Sequence, residues 1–513
     1  GFKIDSSCSR KTMRRTTTMF SSTRSRPAVA AIVAVVLGGA RAFGLRPGVA
    51  PRPRTASSTR LRAESEQGTK LVARDVANKK QERRRIMQSD EFLRSASDFS
   101  DEEKAAVERK MLGEMKSALL DSMRADTYET TKGGAGPAAV TFRLAKEYGM
   151  CWGAERSIEL ALAATQKFPD RTKHITNELL HNPGVNQMLK DSGVEFIEKT
   201  EDGGKRFETV KEGDVVILPA FGATLAEMQY FDEMGVTTVD TTCPWVSKVW
   251  NVVDRQVAKD MTTIIHGKYA HEEAIATASY CKDYLMVKNM DEAEYVCEYI
   301  LDPSAQKRDD FLQKFAKAMS PGFDPDVHLK KIGIANQTTM YKRETAAIGK
   351  LFEATMITKY GPQDASDRFA AFDTICDATQ ERQDAITDMV EDPAVAELDF
   401  ILVVGGFDSS NTAHLVEIPH DKGIPVFHIN EADCVGVDNT VTHRLLDGSV
   451  VTTPDWLPVD RPVKIGVTSG ASTPDAYVED ALERIVLLKA ALAAAAEASD
   501  DASESSPAAV AAA

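Results

Sequence analysis

Cysteine is scarce in this chain: seven in 513 residues, at 8, 151, 243, 281, 297, 376 and 434, and no two of them form a CxxC pair. A small secreted disulfide scaffold is shorter and denser in cysteine, so that class is excluded. The pattern fits free thiols or metal ligands in a reducing compartment. An excess of positive charge is also missing. The formal charge is −15, which excludes a general nucleic-acid binder. A long apolar run is missing too: Ala28 to Leu37 is too short to span a bilayer comfortably. The Gly405-Gly406 pair is no dinucleotide fingerprint and serves at most to turn the chain. What is present is 43% hydrophobic residues, enough for buried cores, over a length that predicts two to four structural units.

The charge is unevenly spread. Residues 1–62 hold 13 Lys/Arg against one acid, Asp5, so they carry +12 and the remainder −27. From Met19 a basic start (Arg24, Arg26) leads into the apolar run and then the small residues Gly38 to Ala42, the layout of a signal peptide. Phe43 opens a tract rich in Arg, Ser, Thr, Pro and Ala and almost free of acids, the composition of a transit peptide. Together they resemble the bipartite leader of algae with secondary, red-derived plastids.

Residues 64–131 are charged and helix-prone, and Ser100 with Glu103 reads as a capped helix start, predicting an accessory helix packed on the body. The Gly/Ala/Pro-rich stretch 133–138 reads as a linker. From 141 onward apolar runs at 214–220, 236–242, 261–267, 331–335, 399–405 and 462–469 alternate with helical patterns such as 154–167. Such runs predict parallel sheets covered on both faces, with ligands beyond the carboxyl ends of the strands. Nearly all the residues there are polar, small or sulfur-bearing; they include Phe221-Gly222, Cys243, His266, His271, Thr338, Ser409 to Asn411 and Ser472. The tail 496–513 is Ala/Ser/Asp low complexity and reads as disordered.

Three cysteines share a setting. Cys151 and Cys243 precede helical stretches with Arg156 and Lys248 five positions on, and Cys376 precedes one with Arg382 six positions on. Each thiol is therefore expected at a helix N-terminus with a cation one turn in, which lowers a thiol pKa and suits an anionic iron–sulfur cluster. Separations of 92 and 133 residues imply one ligand per subdomain meeting at a central point. Taken alone, the same cysteines read more readily as small buried hydrophobes. Cys281, Cys297 and Cys434 lack the setting.

Nine segments in order then narrow the reading: "YGMCWGAERSIELA", "HNPGVNQMLKDSGVEFIE", "ILPAFGAT", "TTCPWVSKV", "HGKYAHEEAIAT", "NQTTM", "DTICDATQERQDA", "SSNTAHL" and "VTSGASTPD". Over roughly residues 141–485 they resemble the LytB/IspH family. The resemblance implies three pseudo-threefold-related α/β subdomains with small parallel sheets around a central [4Fe–4S] cluster. It also implies an activity: reductive dehydration of (E)-4-hydroxy-3-methylbut-2-enyl diphosphate to isopentenyl and dimethylallyl diphosphate, the last step of the methylerythritol phosphate route. The cluster ligands fall on Cys151, Cys243 and Cys376, with one iron left open to substrate. The diphosphate-binding residues fall on His181, His271, Ser409, Ser410, Asn411 and Ser472, the proton-delivery acid on Glu273, and a further catalytic residue, a hydrogen-bond donor, on Thr338. Without the motifs, the histidines read as structural, the serines as helix caps and Glu272-Glu273 as a solvated helix start. A cluster carrier would need the thiols but neither the acid nor a phosphate cradle.

One departure stands out: Phe221 replaces a histidine found in many bacterial members, removing a phosphate-facing donor. That and the inserts around 301–330 and 352–370 resemble the plant and cyanobacterial branch, which implies ferredoxin as electron donor. The inserts read either as shaping the donor surface or as solvated decoration. The expected organisation is a plastid leader (1–62), a helical extension and linker (63–140), and subdomains at 141–242, 243–372 and 373–470. A C-terminal helix returning to the first subdomain (471–495) and a tail (496–513) complete it. The mature form is expected to act in the plastid stroma without nucleic acid or membrane.

Overall fold

The apolar runs become the central strands of three parallel sheets. The computed structural model describes residues 71, 78–201 and 204–504, so the expected leader and the last residues of the tail lie outside the described residues. The first sheet holds β4 (Lys173–Ile175), β5 (Val194–Phe196), β6 (Val215–Leu218) and β7 (Thr237–Asp240), and β1 (Phe92–Leu93) pairs beside β7. The second holds β8 (Thr262–His266), β9 (Tyr284–Val287), β10 (Ile332–Asn336) and β11 (Phe369–Ala370). The third holds β12 (Phe400–Val404), β13 (Val426–Ile429), β16 (Val463–Ser469) and β3 (Val140–Leu144), and β2 (Glu129–Lys132) pairs antiparallel beside β3. A short antiparallel ribbon, β14 (Thr440–Arg444) with β15 (Val450–Pro454), stands apart.

The strand orders β7-β6-β4-β5, β11-β10-β8-β9 and β3-β16-β12-β13 are one pattern written three times. Every residue of β6, β8, β10 and β12 is buried, as parallel strands covered on both faces must be. Each buried Val or Ile side chain contributes about 1.5–3 kcal/mol of transfer free energy.

After the outer strand of each repeat the chain crosses to the next sheet. The helix Trp152–Lys167 leaves β3 and buries Ile158 and Leu162 against Ile175 and Ile217 of the first sheet. The helix Pro244–Ala258 leaves β7 and packs Val249 and Val253 with Ile264 and Ile334 of the second. The helix Asp377–Glu391 leaves β11 and packs Ile386 against Ile401 and Val403 of the third. The residue immediately before each crossing helix is Cys151, Cys243 or Cys376.

The structure departs from the sequence expectations in four places. Residues 140–144 belong to the third sheet and not the first, because β3 pairs in parallel with β16. The C-terminal helix, Asp475–Glu504, buries Val478, Leu482 and Ile485 in that same third core, and it runs past 495. The N-terminal extension is three helices, Lys79–Ile86, Asp101–Glu114 and Ala118–Ala125, plus edge strands for two sheets. Ser100 and Glu103 do form the capping box, but Ser117 caps a fresh start by accepting from Leu120 N–H at 2.9 Å. The inserts are core material: Phe311, Phe315, Phe352 and Met356 are fully buried in the second core. Among the described residues no helix is long and apolar enough to cross a membrane.

Candidate active site

The backbone of each crossing cysteine is fixed in the same way. Cys151 N–H donates to the Ala471 carbonyl at 2.9 Å, Cys243 to Ala220 at 3.0 Å and Cys376 to Thr338 at 3.0 Å. Each acceptor lies just beyond the strand that neighbours the one the cysteine follows: β16, β6 and β10. Three equivalent strand ends thus deliver three thiols to one cavity of about 100 Å³. Room for the sulfurs depends on Gly153. A Cβ there would sit 2.6 Å from Cys243 Sγ and 3.9 Å from Cys151 Sγ.

The expected lowering of the thiol pKa values is overturned for two of the three. Burial pushes Cys243 up to about 12 and Cys376 up to about 11, outweighing the backbone N–H groups at the helix starts that favour the thiolate. The cations one turn in are directed elsewhere. Arg156 donates to the carbonyls of Thr242 and Arg94, Arg382 to those of Tyr148, Gly149 and Ala378, and Lys248 lies over the Trp245 ring. A buried guanidinium with no carboxylate partner takes backbone carbonyls to satisfy its fixed fork of donors.

Glu273 lies in the first turn of the helix Glu272–Tyr280 and is 2% exposed. Its Oε1 accepts from Thr338 N–H at 2.6 Å and its Oε2 from Thr338 Oγ1 at 3.0 Å. Burial raises its pKa to about 7 despite those two bonds, so near neutrality it can hold a proton. Thr338 therefore joins the acid to a cysteine: its amide and hydroxyl hold Glu273 while its carbonyl holds Cys376. Glu272 points away and pairs with Lys199 at 2.6 Å.

His271 caps this helix, Nδ1 accepting from Glu273 N–H at 3.2 Å, which places the proton of the neutral ring on Nε2. That Nε2 lies 3.4 Å from Nε2 of His181, whose Nδ1 is 3.1 Å from Glu178 Oε2. Burial, then the neighbouring His181, hold His271 below the ordinary imidazole range. Phe221 stacks on His181 at 4.3 Å and meets His271 edge-on at 5.5 Å, filling the place of the missing donor with an apolar wall.

The Ser-Ser-Asn loop opens the helix Ser410–Asp421 beyond β12. Ser409 caps it, accepting from Thr412 N–H at 3.2 Å, and Ser410 accepts from Gln337 Nε2 at 3.2 Å. Asn411 Oδ1 accepts from Ala471 N–H at 2.8 Å, which leaves its buried Nδ2 without a partner among the described residues. Ser472 Oγ donates to the His181 carbonyl at 3.5 Å. A Cβ at Gly406 would lie 1.8 Å from that same carbonyl, so the His181 loop and the Ser-Ser-Asn loop meet only because Gly406 has no side chain.

All eleven residues singled out in the sequence line this one cavity. Cys281 and Cys297 are instead packed in the second core, and Cys434 donates to Asn430 Oδ1 at 3.0 Å. His266 turns into the core and bonds Thr345 at 2.8 Å. The sequence does not single out Glu178, three residues before His181, and it places Gln337 past a strand end, within the NQTT segment, without a role.

A family profile described as "LytB protein" matches residues 142–486. The 4-hydroxy-3-methylbut-2-enyl diphosphate reductase of Synechococcus sp. is 51% identical over 403 residues, covering 79% of this chain and 97% of that protein. The protein of the same name from Thermosynechococcus vestitus is 52% identical over 383 residues, covering 75% of this chain and 92% of its own length. The chloroplastic one from Botryococcus braunii is 53% identical over 349 residues, covering 67% and 69%. Matched along the stretch that carries every one of these cavity residues, and to relatives of about half identity, the chain belongs to the LytB family.

Proposed function

We propose that this chain reductively dehydrates (E)-4-hydroxy-3-methylbut-2-enyl diphosphate to isopentenyl and dimethylallyl diphosphate, the last step of the methylerythritol phosphate route to isoprenoids. The observation that carries this reading is the meeting of three thiols, from three separate crossings, with a buried acid in one cavity.

The donor set fits a [4Fe–4S] cluster held by Cys151, Cys243 and Cys376. None of the three is in a disulfide. Three thiols facing one cavity are the soft ligands that such a cluster takes. When bound, such a cluster supplies electrons and a Lewis-acidic iron. Cys243 and Cys376 are protonated when buried alone, so binding releases their protons.

The chain's own residues supply position and protons. His181, His271, Ser409, Ser410, Ser472 and the unpartnered Nδ2 of Asn411 offer donors to the diphosphate oxygens. The reaction takes up two electrons and two protons, breaks the allylic C–O bond and releases water. Glu273, which lines the cavity itself, holds one of those protons on its carboxyl, and Thr338 Oγ1 at 3.0 Å from Oε2 orients it. A cluster carrier has no use for a buried acid of raised pKa or an unpartnered donor, which favours the enzyme.

Electrons enter most directly at the face carrying Trp152, the residue after Cys151, which is 63% exposed. Lys104 and Lys116 flank the groove beside it. The charges of that groove nearly balance, since Glu108, Glu155 and Glu159 line it too and Lys104 and Lys116 pair with Asp101 and Glu155; ferredoxin is the proposed donor on the likeness to the plant and cyanobacterial branch. The proposed site of action is the plastid stroma. The leader composition and the chloroplastic relative support it, and the Phe43 junction extends it to a secondary red-derived plastid.

Anaerobic reconstitution with iron and sulfide, followed by assay with the hydroxylated diphosphate and a chemical reductant, tests the reading. A brown protein releasing both C5 diphosphates is expected. A colourless protein with full activity, or a fully loaded one releasing neither product, refutes it.

A further inference from the structure

Next to the inner cavity lies a second, larger chamber of about 570 Å³ that opens to solvent. His181 and His271 line both spaces, and their Nε2 atoms are 3.4 Å apart, so this ring pair forms the wall between them. The two sides differ in charge. No lysine or arginine lines the inner cavity, whereas Lys199, Lys268 and Arg444 line the outer chamber.

The formal balance of the chamber is even, because Glu178, Glu272 and Asp408 also line it. The commitments of those groups decide the local field. Glu272 is held by Lys199 at 2.6 Å, and Glu178 faces His181 Nδ1 at 3.1 Å. Lys268 and Arg444 lie within ion-pair distance of no carboxylate among the described residues. Arg444 spends Nε and Nη1 on the carbonyls of Gly448 and Phe407, which leaves Nη2 available. The acids whose fields reach Lys268 are Glu417, already bonded to His414 and Tyr341 at 2.8 Å, and Asp408. Two cations and one carboxylate, Asp408, thus remain uncommitted.

Lys268 follows β8 of the second sheet, and its backbone N–H is pinned by Gln337 Oε1 at 3.1 Å. Arg444 ends β14 beside the third sheet, and His181 belongs to the loop after β4 of the first. Asp408 lies past β12 of the third, so all three sheets and the ribbon supply this mouth.

We propose that the outer chamber is an anion subsite, in which Lys268 and Arg444 capture the diphosphate group of the incoming substrate and hand it on to His181 and His271. The inference rests on the proposed function, since it takes an allylic diphosphate as the ligand. It answers a physical difficulty in that reading. A chain with formal charge −15 repels a diphosphate, and the inner cavity offers it no lysine or arginine to offset that field. Cations at the mouth of a cleft raise encounter rates by about tenfold or more, and the effect weakens with salt. An arginine fork and a lysine point charge are the usual pair for such a group.

The test uses the cluster-loaded full chain. In the double variant Lys268→Gln/Arg444→Gln, kcat/KM is expected to fall about tenfold. Its dependence on ionic strength should flatten, saturation should move to higher substrate, and the visible spectrum should match wild type. Lys268→Arg/Arg444→Lys keeps the charges and should keep the salt slope, which covers the case where the neutral variant loads poorly. Asp408→Asn should raise kcat/KM at low salt. If wild type turns over and all three variants share its kcat/KM and salt slope, the subsite is refuted while the reductase reading stands. If loaded wild type itself leaves the diphosphate untouched, the reductase reading fails first.

Discussion

Arg156, five residues after Cys151, donates through Nη1 to the carbonyl of Thr242, the residue before Cys243, at 3.2 Å. Arg382, six residues after Cys376, does the same for the loop before Cys151, reaching the Gly149 carbonyl at 2.9 and 2.7 Å. Arg255, on the helix after Cys243, lies 5.8 Å over the ring of Phe372, four residues before Cys376. The crossing helices thus brace one another's cysteine loops in a cycle. Arg382 is the most buried link, at 4% exposure. Arg382→Ala should cost about 1.5–3 kcal/mol per lost charge-assisted bond and lower iron retention after reconstitution, with partial recovery in Arg382→Lys. Unchanged melting and iron content would show the brace to be idle.

The cysteine assignment separates two half-buried thiols. Cys243→Ser should lose much of the bound iron, because serine is a poor thiolate substitute for soft metal. Cys434→Ser removes a thiol bonded to Asn430, outside the cavity, and should load as wild type does. Iron and sulfide analysis of both proteins decides, and equal contents contradict the ligand set.

The contrast between what sequence reveals and what it hides is physical. β6, β8, β10, β12 and β16 are legible because strands covered on both faces read as near-continuous apolar runs, broken in β16 only by the exposed Lys464 and by small polar residues. β4 is not, since Lys173-His174-Ile175 shows no apolar run. Lys173 is buried with Nζ on the Phe168 and Pro169 carbonyls, and His174 with Nε2 on Asp214, arrangements that only the fold supplies. β3 was assigned to the wrong sheet because its partner β16 lies some 320 residues away. The cavity residues were legible through strand ends and motifs. The thiol pKa values were not, because helix starts can be read along the chain whereas burial depends on what packs from other sheets.

Glu273 ties activity to pH. A folded-state pKa near 7, against about 4.3 unfolded, means protonated carboxyl dominates below neutrality, so turnover should fall as pH rises through about 7. The stability sign is the same. A carboxyl with raised folded pKa contributes fully below the unfolded value and loses that contribution as pH rises through the folded one. Glu273→Gln should therefore keep the cluster, lose most turnover at all pH values, and remove the part of the stability that is lost as pH rises from about 4.3 to about 7. Normal turnover in that variant would remove the acid assignment.

Asn411 offers the sharpest probe of the phosphate cradle. Its Oδ1 is fixed by Ala471 N–H at 2.8 Å, so the orientation of the amide is set and Nδ2 is the group left buried without a partner. A buried unsatisfied donor costs about 1–3 kcal/mol, a cost that a phosphate oxygen relieves on binding. Asn411→Asp keeps the Ala471 bond and nearly the same volume but puts an anionic acceptor where a donor stood. Substrate KM should rise by at least about tenfold, the equivalent of 1.4 kcal/mol, while iron content stays at the wild-type level. The rise should shrink as pH is lowered and the new carboxyl takes up a proton. An Asn411→Asp protein with wild-type KM across that range would mean that the diphosphate does not bind at this end of the cavity.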